Sequence, residues 1–496
     1  MTTGRGGRMR AIAVVAMAAL LLTANLAYQW PGALNPDSQG QMAQIASGRL
    51  HDWHPPAMTR LWQALGLIFG PGPAPMLVFD LATYWAGLAI VALLLVRAGR
   101  PLGHAAAVLA AGAVPLFLML NIAIGKDASF CGAFLLGAAL LIAARTVRRW
   151  RGAALAGGAA MLGLAVLMRH NALFVAGPLI AYAVAPAALR RPFWTMIGSV
   201  LLGLALVPVA GWVNHRLLGA ADARAIASLQ YFDLAGIAAA TGDTGVFGAG
   251  TRLTERDVRS CFAVEMWDTL SPWGRCPWFT AKAGDPVPAS VGAGQETRSP
   301  ISLDRLWIAA ILRHPFAYAG VRLRHFNSET YFFVPEGHVR AVRDNPKEDV
   351  AARRYRGSRL FYALRAAPVF MPGFFLAIAL AVVGVSAGRR DSDTALGQAA
   401  PMLAMASLLY GASYLVVGVA TDLRYFLTSD LAALVSAILA WGDPGTRGAL
   451  RRDGWRRAMA IGLPVLALVA MLLGRVILPV PTVPPPVPSC VSVTQT

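Results

Sequence analysis

Apolar residues run almost unbroken from Ala11 to Tyr28, and the same texture returns near 74–96, 105–124, 128–144, 153–168, 172–187, 194–213, 366–387, 397–420, 423–441 and 458–478. Runs of roughly 16 to 24 residues are about long enough, as helices, to cross a hydrocarbon core of ~30 Å. The pattern therefore predicts an all-α polytopic membrane protein with about eleven transmembrane helices. Two polar stretches interrupt it. The first is a loop over 30–73, and the second, His215 to Leu360, contains Trp, Pro and Gly but no long apolar run. The second is read as a small extracytoplasmic α or α+β domain. The chain then divides into an N-terminal transmembrane module (1–214), this domain (215–360), C-terminal helices (361–478) and a Pro-rich external tail (479–496) that is extended or disordered. No internal repeat is present.

Charge orients the spans. Arg97 and Arg100, then Arg145, Arg148, Arg149 and Arg151, then Arg190 and Arg191, then Arg389 and Arg390, and finally the run Arg447 to Arg457 fall in alternate turns. The intervening short turns hold only Lys126, Arg169 and Arg424. The excess of basic residues marks the cytoplasmic side, which places the N-terminus inside and the C-terminus outside. Arg5, Arg8 and Arg10 precede the first run, and no small-residue cleavage site follows, so that run reads as a retained signal anchor. Only 14% of the 496 residues are charged, against about 25% in soluble domains. The net charge of +19 would suggest nucleic acid in a soluble protein. Here the arginines sit in turns between spans, and nucleic-acid binding is excluded. All but three of the 44 basic residues are arginine, a bias typical of a GC-rich bacterial genome.

Gly and Ala crowd Ala153 to Gly163, as close helix packing in lipid requires. Of the four cysteines, Cys131 lies in an apolar run and Cys490 in the tail. Cys261 and Cys276 could close a loop worth roughly 3 kcal/mol in an oxidising compartment. No metal-type Cys/His spacing occurs.

Candidate chemistry gathers on the external side. The loop Asn35 to Pro56 (NPDSQGQMAQIASGRLHDWHPP) carries Asp37, Arg49, His51, Asp52 and His54 before Pro55-Pro56. Asp37 is either the N-cap of a helix over Gln39–Ser47 or a general base taking a proton from an acceptor hydroxyl. His54 either contacts a metal or phosphate or ends a helix. Lys126-Asp127 is either a self-neutralising pair or a phosphate contact beside a cation or acceptor ligand. No Walker A pattern surrounds Lys126, which excludes nucleotide hydrolysis. Arg169 and Arg424 border apolar helices, where an arginine either snorkels to headgroups or grips two phosphate oxygens. Asp422 stands where it could position Arg424. Residues 314, 318, 322, 325 and 329 recur at three and four, which predicts one polar helix face including Arg322. It is read as an interfacial helix receiving an anionic lipid head or as a solvated face.

An Asp soon after the first span, a helical first loop ending in His-Pro, an acidic second external turn and the Asp-x-Arg-Tyr piece at Asp422–Tyr425 together resemble the GT-C superfamily of integral membrane glycosyltransferases. Protein O-mannosyltransferases and aminoarabinose transferases belong to it. The layout covers most of residues 9–441. The resemblance implies inverting transfer of a sugar from a polyprenyl-phosphate donor to a lipid, glycan or protein acceptor at the outer face of a bacterial inner membrane. Asp37 would be the base. Lys126, Arg169, Arg322, Arg424 and His54 would meet the substrate and its phosphate, and a divalent metal (magnesium or manganese) would lie near Asp127 and Asp52. Several relatives carry an acidic pair where this chain has Asp127 alone, which puts metal dependence in doubt. The competing readings are a transporter or flippase of lipid-linked sugars and a lipopolysaccharide ligase or polymerase. A transporter needs polar groups deep in the membrane.

Overall fold

The computed structural model describes residues 5–121, 123–284, 303–343, 366–389 and 394–479. Expectations placed on Arg390, Cys490, residues 344–360 and the tail after 479 lie outside these. The chain is an all-α polytopic membrane protein. Among the described residues, eight helices are long and apolar enough to cross a membrane, and Leu102–Gly112, His170–Val184 and Pro372–Ser386 are shorter apolar ones. Together they occupy the eleven positions the hydrophobic pattern predicted.

In chain order the first module contains α1 (Arg5–Gln29), α2 (Pro36–Ser47), α3 (Pro56–Phe69), α4 (Ala74–Arg97), α5 (Leu102–Gly112), α6 (Pro115–Leu120), α7 (Lys126–Thr146), α8 (Arg151–Met168), α9 (Ala176–Val184) and α10 (Pro192–Trp212). The polar segment folds as α11 (Ala227–Thr241), α12 (Glu255–Cys261), α13 (Phe279–Lys282), α14 (Leu303–Arg313), α15 (Pro315–Thr330) and α16 (Glu336–Arg343). The chain returns to the bundle with α17 (Pro372–Ser386), α18 (Ala395–Val417), α19 (Leu427–Gly442), α20 (Pro444–Arg452) and α21 (Gly454–Ile477). The third expected span is not one helix. Pro115 has no N–H to continue α5, so the backbone breaks at Ala113-Val114 and restarts as α6.

With lipid rather than water outside, packing rests on close approach of backbones. A Cβ at Gly87 of α4 would lie 2.7 Å from the Leu135 backbone carbon of α7, and one at Gly132 would lie 2.9 Å from the Asp80 carbonyl oxygen. The Ala153–Gly163 stretch does the same on the other side of α7, where a Cβ at Gly158 would lie 3.2 Å from the Gly137 carbonyl oxygen. Trp62, Tyr84, Trp85, Phe117, Phe130, Phe134 and Tyr410 fill the interior of this bundle.

Several basic turns meet at one end. Gly388 N–H donates to the Arg190 carbonyl at 2.9 Å, Arg389 pairs with Asp443 at 3.4 Å, and Arg456 donates to the Ala387 carbonyl at 3.2 Å. The polar segment is helical and has its own core around Tyr231, Leu234, Ile237, Phe247 and Phe279. Cys261 and Cys276, in that core, form a disulfide, and Cys131 is buried and free.

α15 corrects an expectation. Its polar face points neither to lipid nor to water: Arg322, His325 and Glu329 are 3%, 0% and 0% exposed, while Phe316 is 91% exposed. The polar groups face one another and the neighbouring loop: Arg322 pairs with Asp233, His325 meets the Val264 carbonyl at 2.6 Å, and Glu329 lies 3.2 Å from His325.

Candidate functional site

One short pairing assembles the site. Ala33 and Leu34 form a parallel two-residue ladder with Ala123 and Ile124. The residues that follow each strand, Asn35 and Gly125, therefore lie together, and a Cβ at Gly125 would sit 3.4 Å from the Asn35 side-chain amide. The first turns of α2 and α7 start side by side, one bearing Asp37 and the other Lys126 and Asp127.

The cap of α2 is Asn35, not Asp37. Asn35 Oδ1 accepts the Ser38 N–H at 2.8 Å, and Ser38 Oγ accepts the Asn35 N–H at 2.8 Å. This reciprocal capping box relieves Asp37 of any capping duty.

Arg424 stands at the centre. It lies in the 3₁₀ turn Leu423–Phe426, whose N-cap Asp422 accepts its N–H at 3.0 Å. Its Nε is 2.6 Å from Asp422 and 3.8 Å from Asp127, and its Nη2 is 3.6 Å from Asp37. Arg169, just after α8, ion-pairs with the other Asp127 oxygen. Its guanidinium lies 4.7 Å from the centre of the Tyr425 ring, which stacks parallel on Tyr414. Among the described residues no hydrogen bond or ion pair engages the Lys126 ammonium, which faces Asp37 through space. Three cations and three carboxylates thus share one end of the bundle, at the starts of α2, α7 and the 3₁₀ segments His170–Val175 and Leu423–Phe426, whose N–H ends add positive potential.

Exposure separates their roles. The Asp37 and Arg424 side chains are 32% and 28% exposed, against 7% for Asp127. Burial raises the Asp37 pKa, but the charges of Lys126, Arg424, His54 and Arg169 outweigh it and hold the carboxyl down at about 2. It is ionised at neutral pH. His54 is buried against the second turn of α2, near Gly40, and its Nδ1 has no partner. Burial, then Lys126, pushes its pKa down to about 4, so the ring is neutral.

Two expected site residues lie elsewhere. Arg322 is buried in an ion pair with Asp233 and donates to the Gly418 carbonyl at 2.6 Å, so its guanidinium is not available to a phosphate. Asp52 accepts the Ala223 N–H at 2.7 Å and lies 3.5 Å from His215, bracing the first loop against 221–223. The residues do not fit a divalent metal. Asp127 is clamped between two guanidiniums and Asp52 is committed elsewhere. Among the described residues, no three His, Cys, Asp or Glu side chains converge as a ligand set.

Four groups escaped the sequence reading: Tyr410, Tyr414, Asp80 and Asp430. Tyr414 joins Tyr425 of the Asp-x-Arg-Tyr piece as the aromatic bed for Arg169, and the Tyr410 and Tyr414 hydroxyls meet at 3.0 Å. The only trace of these two tyrosines in the sequence is their i, i+4 spacing at the end of an apolar run. Asp80 and Asp430 are buried within spans, at 3% and 2% exposure. Asp80 accepts the Ser129 hydroxyl at 2.8 Å. Both lie near the helix ends that face the site, Asp80 in the second turn of α4 and Asp430 in the first turn of α19.

No family model and no curated protein matches the chain. Among solved structures it is similar to ArnT from Cupriavidus metallidurans bound to undecaprenyl phosphate. That likeness has 14% identity and a TM-score of 0.31, over 90% of this chain and 78% of ArnT. It is also similar to the Archaeoglobus fulgidus oligosaccharyltransferase tethered to an acceptor peptide containing the NVT sequon, at 14% identity and TM-score 0.29. That likeness spans 93% of this chain but 55% of the other. At such TM-scores neither likeness bears on what this chain does.

Proposed function

We propose that this protein is an integral-membrane glycosyltransferase of GT-C type, moving a sugar from a polyprenyl-phosphate donor to a hydroxyl of a lipid, glycan or protein acceptor. The reaction runs at the extracytoplasmic face of a bacterial inner membrane, with the basic turns in the cytoplasm. The observation that carries this reading is the convergence of a part-exposed, ionised Asp37 with Arg424 and Lys126.

The acceptor oxygen attacks the anomeric carbon, the bond from that carbon to the phosphate oxygen breaks, and the phosphate leaves with the electron pair. Arg424 and Lys126 take up the charge growing on it, the term expected to contribute most to rate. The acceptor proton passes to Asp37. With a pKa near 2 this carboxylate is a weak base, and the proton moves late, once the new C–O bond has acidified the hydroxyl. A donor phosphate on Lys126 and Arg424 offsets their field and raises the Asp37 pKa, so the base strengthens when substrate is bound. The reading is of single displacement with inversion, because Asp127 is sealed between arginines and offers no second nucleophile. Asp80 and Asp430 are the kind of buried carboxyl a transporter would need, but both lie at the site end, which favours surface chemistry over passage.

The test is transfer of labelled sugar from a polyprenyl-phosphate pool, comparing membranes with wild-type protein and Asp37→Asn at matched expression. Loss of transfer in the variant is expected. Normal transfer by Asp37→Asn would refute the assignment of the base, and lipid-linked sugar crossing the bilayer without transfer would favour the transporter.

A further inference from the structure

Between α18 and Asp422 runs a short strap, Gly418–Thr421, gripped from both sides by the polar segment. On one side Met266 and Ala420 form an antiparallel bridge. Trp267 N–H donates to the Val419 carbonyl at 2.7 Å, and Thr421 N–H to the Glu265 carbonyl at 2.7 Å. On the other side, α15 supplies Arg322, whose Nη1 donates to the Gly418 carbonyl at 2.6 Å, and Ser328, whose hydroxyl meets that of Thr421 at 2.9 Å. The Glu329 carboxylate and the Tyr414 carbonyl close in on Gly418, where a Cβ would fall 2.5 and 2.6 Å from the two carboxylate oxygens and 2.5 Å from the Tyr414 oxygen. Behind these contacts, Asp233 pairs with Arg322 and accepts the Trp307 indole N–H at 2.8 Å. His325 contacts the Val264 carbonyl at 2.6 Å and Glu329 at 3.2 Å.

Burying four ionisable groups is costly, and an apolar seam would join two helices as well. What directional contacts add is a single register of the strap relative to the polar segment. The residue after the strap, Asp422, holds Arg424 by both its backbone N–H and its Nε. Register in the strap therefore sets where the Arg424 guanidinium lies.

We infer that Arg322, with Asp233, His325 and Glu329, is a positioning network that acts through the strap to aim Arg424 at the donor phosphate. This rests on the proposed donor site. None of the four touches substrate, and their effect on the phosphate passes through Arg424.

The experiment measures binding of a polyprenyl phosphate to the full chain in lipid nanodiscs, for wild type, Arg322→Met, Gly418→Ala, Arg424→Ala and the Arg322→Met/Arg424→Ala double variant. Arg322→Met and Gly418→Ala are expected to weaken binding about tenfold each, and the double variant to bind no more weakly than Arg424→Ala alone. A purely structural role for Arg322 predicts instead that the two losses multiply, which would overturn the inference. Wild-type affinity in Arg322→Met would also overturn it. Wild-type affinity in Arg424→Ala would overturn the donor site itself. If Arg322→Met does not accumulate, Ser328→Ala removes one strap contact without stranding a charge. It is then expected to weaken binding severalfold in the Arg424 background and not in the Arg424→Ala background, and equal weakening in both would refute the network.

Discussion

Replacing Asp127 with alanine tests whether this carboxylate is a clamp for arginines or a ligand for metal. Its side chain is 7% exposed and that of Arg169 12%. One oxygen takes the Arg169 guanidinium and the other faces Arg424 Nε at 3.8 Å. Among the described residues, removing the carboxylate leaves Arg169 with the rings of Tyr414 and Tyr425, and its Nε has no hydrogen-bond partner there. Stranding one partner of a buried pair costs about 3–5 kcal/mol, a large part of a typical total stability. The sharper measurement is a cycle with Arg169→Leu. The double variant Asp127→Ala/Arg169→Leu buries no orphan charge and should be more stable than Asp127→Ala alone, with a coupling of about 1–3 kcal/mol. Thermal unfolding in nanodiscs reads all four proteins, and sugar transfer is followed in parallel with and without EDTA. Additive losses across the cycle, or a metal response that Asp127→Ala alone abolishes, would refute the clamp.

Two further outcomes follow from the polar segment and the first loop. Joining Cys261 to Cys276, 15 residues apart, restricts the unfolded chain by about 3 kcal/mol, so Cys261→Ser/Cys276→Ser should lower the urea midpoint of the polar segment; an unchanged midpoint would remove the bond's contribution. His54 has a native pKa of about 4 against an ordinary 6.5. Below 6.5 the unfolded chain takes a proton that the native one refuses, so stability is full above 6.5 and falls as pH drops toward 4. Between pH 6.5 and 5 the loss is about 2 kcal/mol at roughly 1.4 kcal/mol per unit, and His54→Asn should flatten that slope; an equal slope in both proteins would place the titration elsewhere.

Spans and turns were legible in the sequence because lipid allows few solutions. Every backbone amide must be paired within its own helix, so a long apolar run has one fate. Arg169, Arg424, Lys126 and Asp37 stood out for the same reason, since charge beside an apolar run is costly and therefore conspicuous. Even Gly158 belonged to a recognisable small-residue texture, whereas the close approach at Gly87 did not show in the sequence.

Partnership was not legible. Asp37 could be a cap or a free carboxylate on sequence alone, and Asn35 decided it by taking the cap. Arg322 and Arg424 carry the same side chain, yet one is sealed on Asp233 and the other faces the open Asp37. A helical period of three and four assigned the α15 polar residues to one face but not to the buried side, because that depends on what packs against them. Which charges neutralise one another depends on contacts between residues far apart in the chain, such as Arg169 with Asp127 and Arg424 with Asp37. Local pattern fixes the direction of a side chain; only the packed tertiary structure decides what it meets.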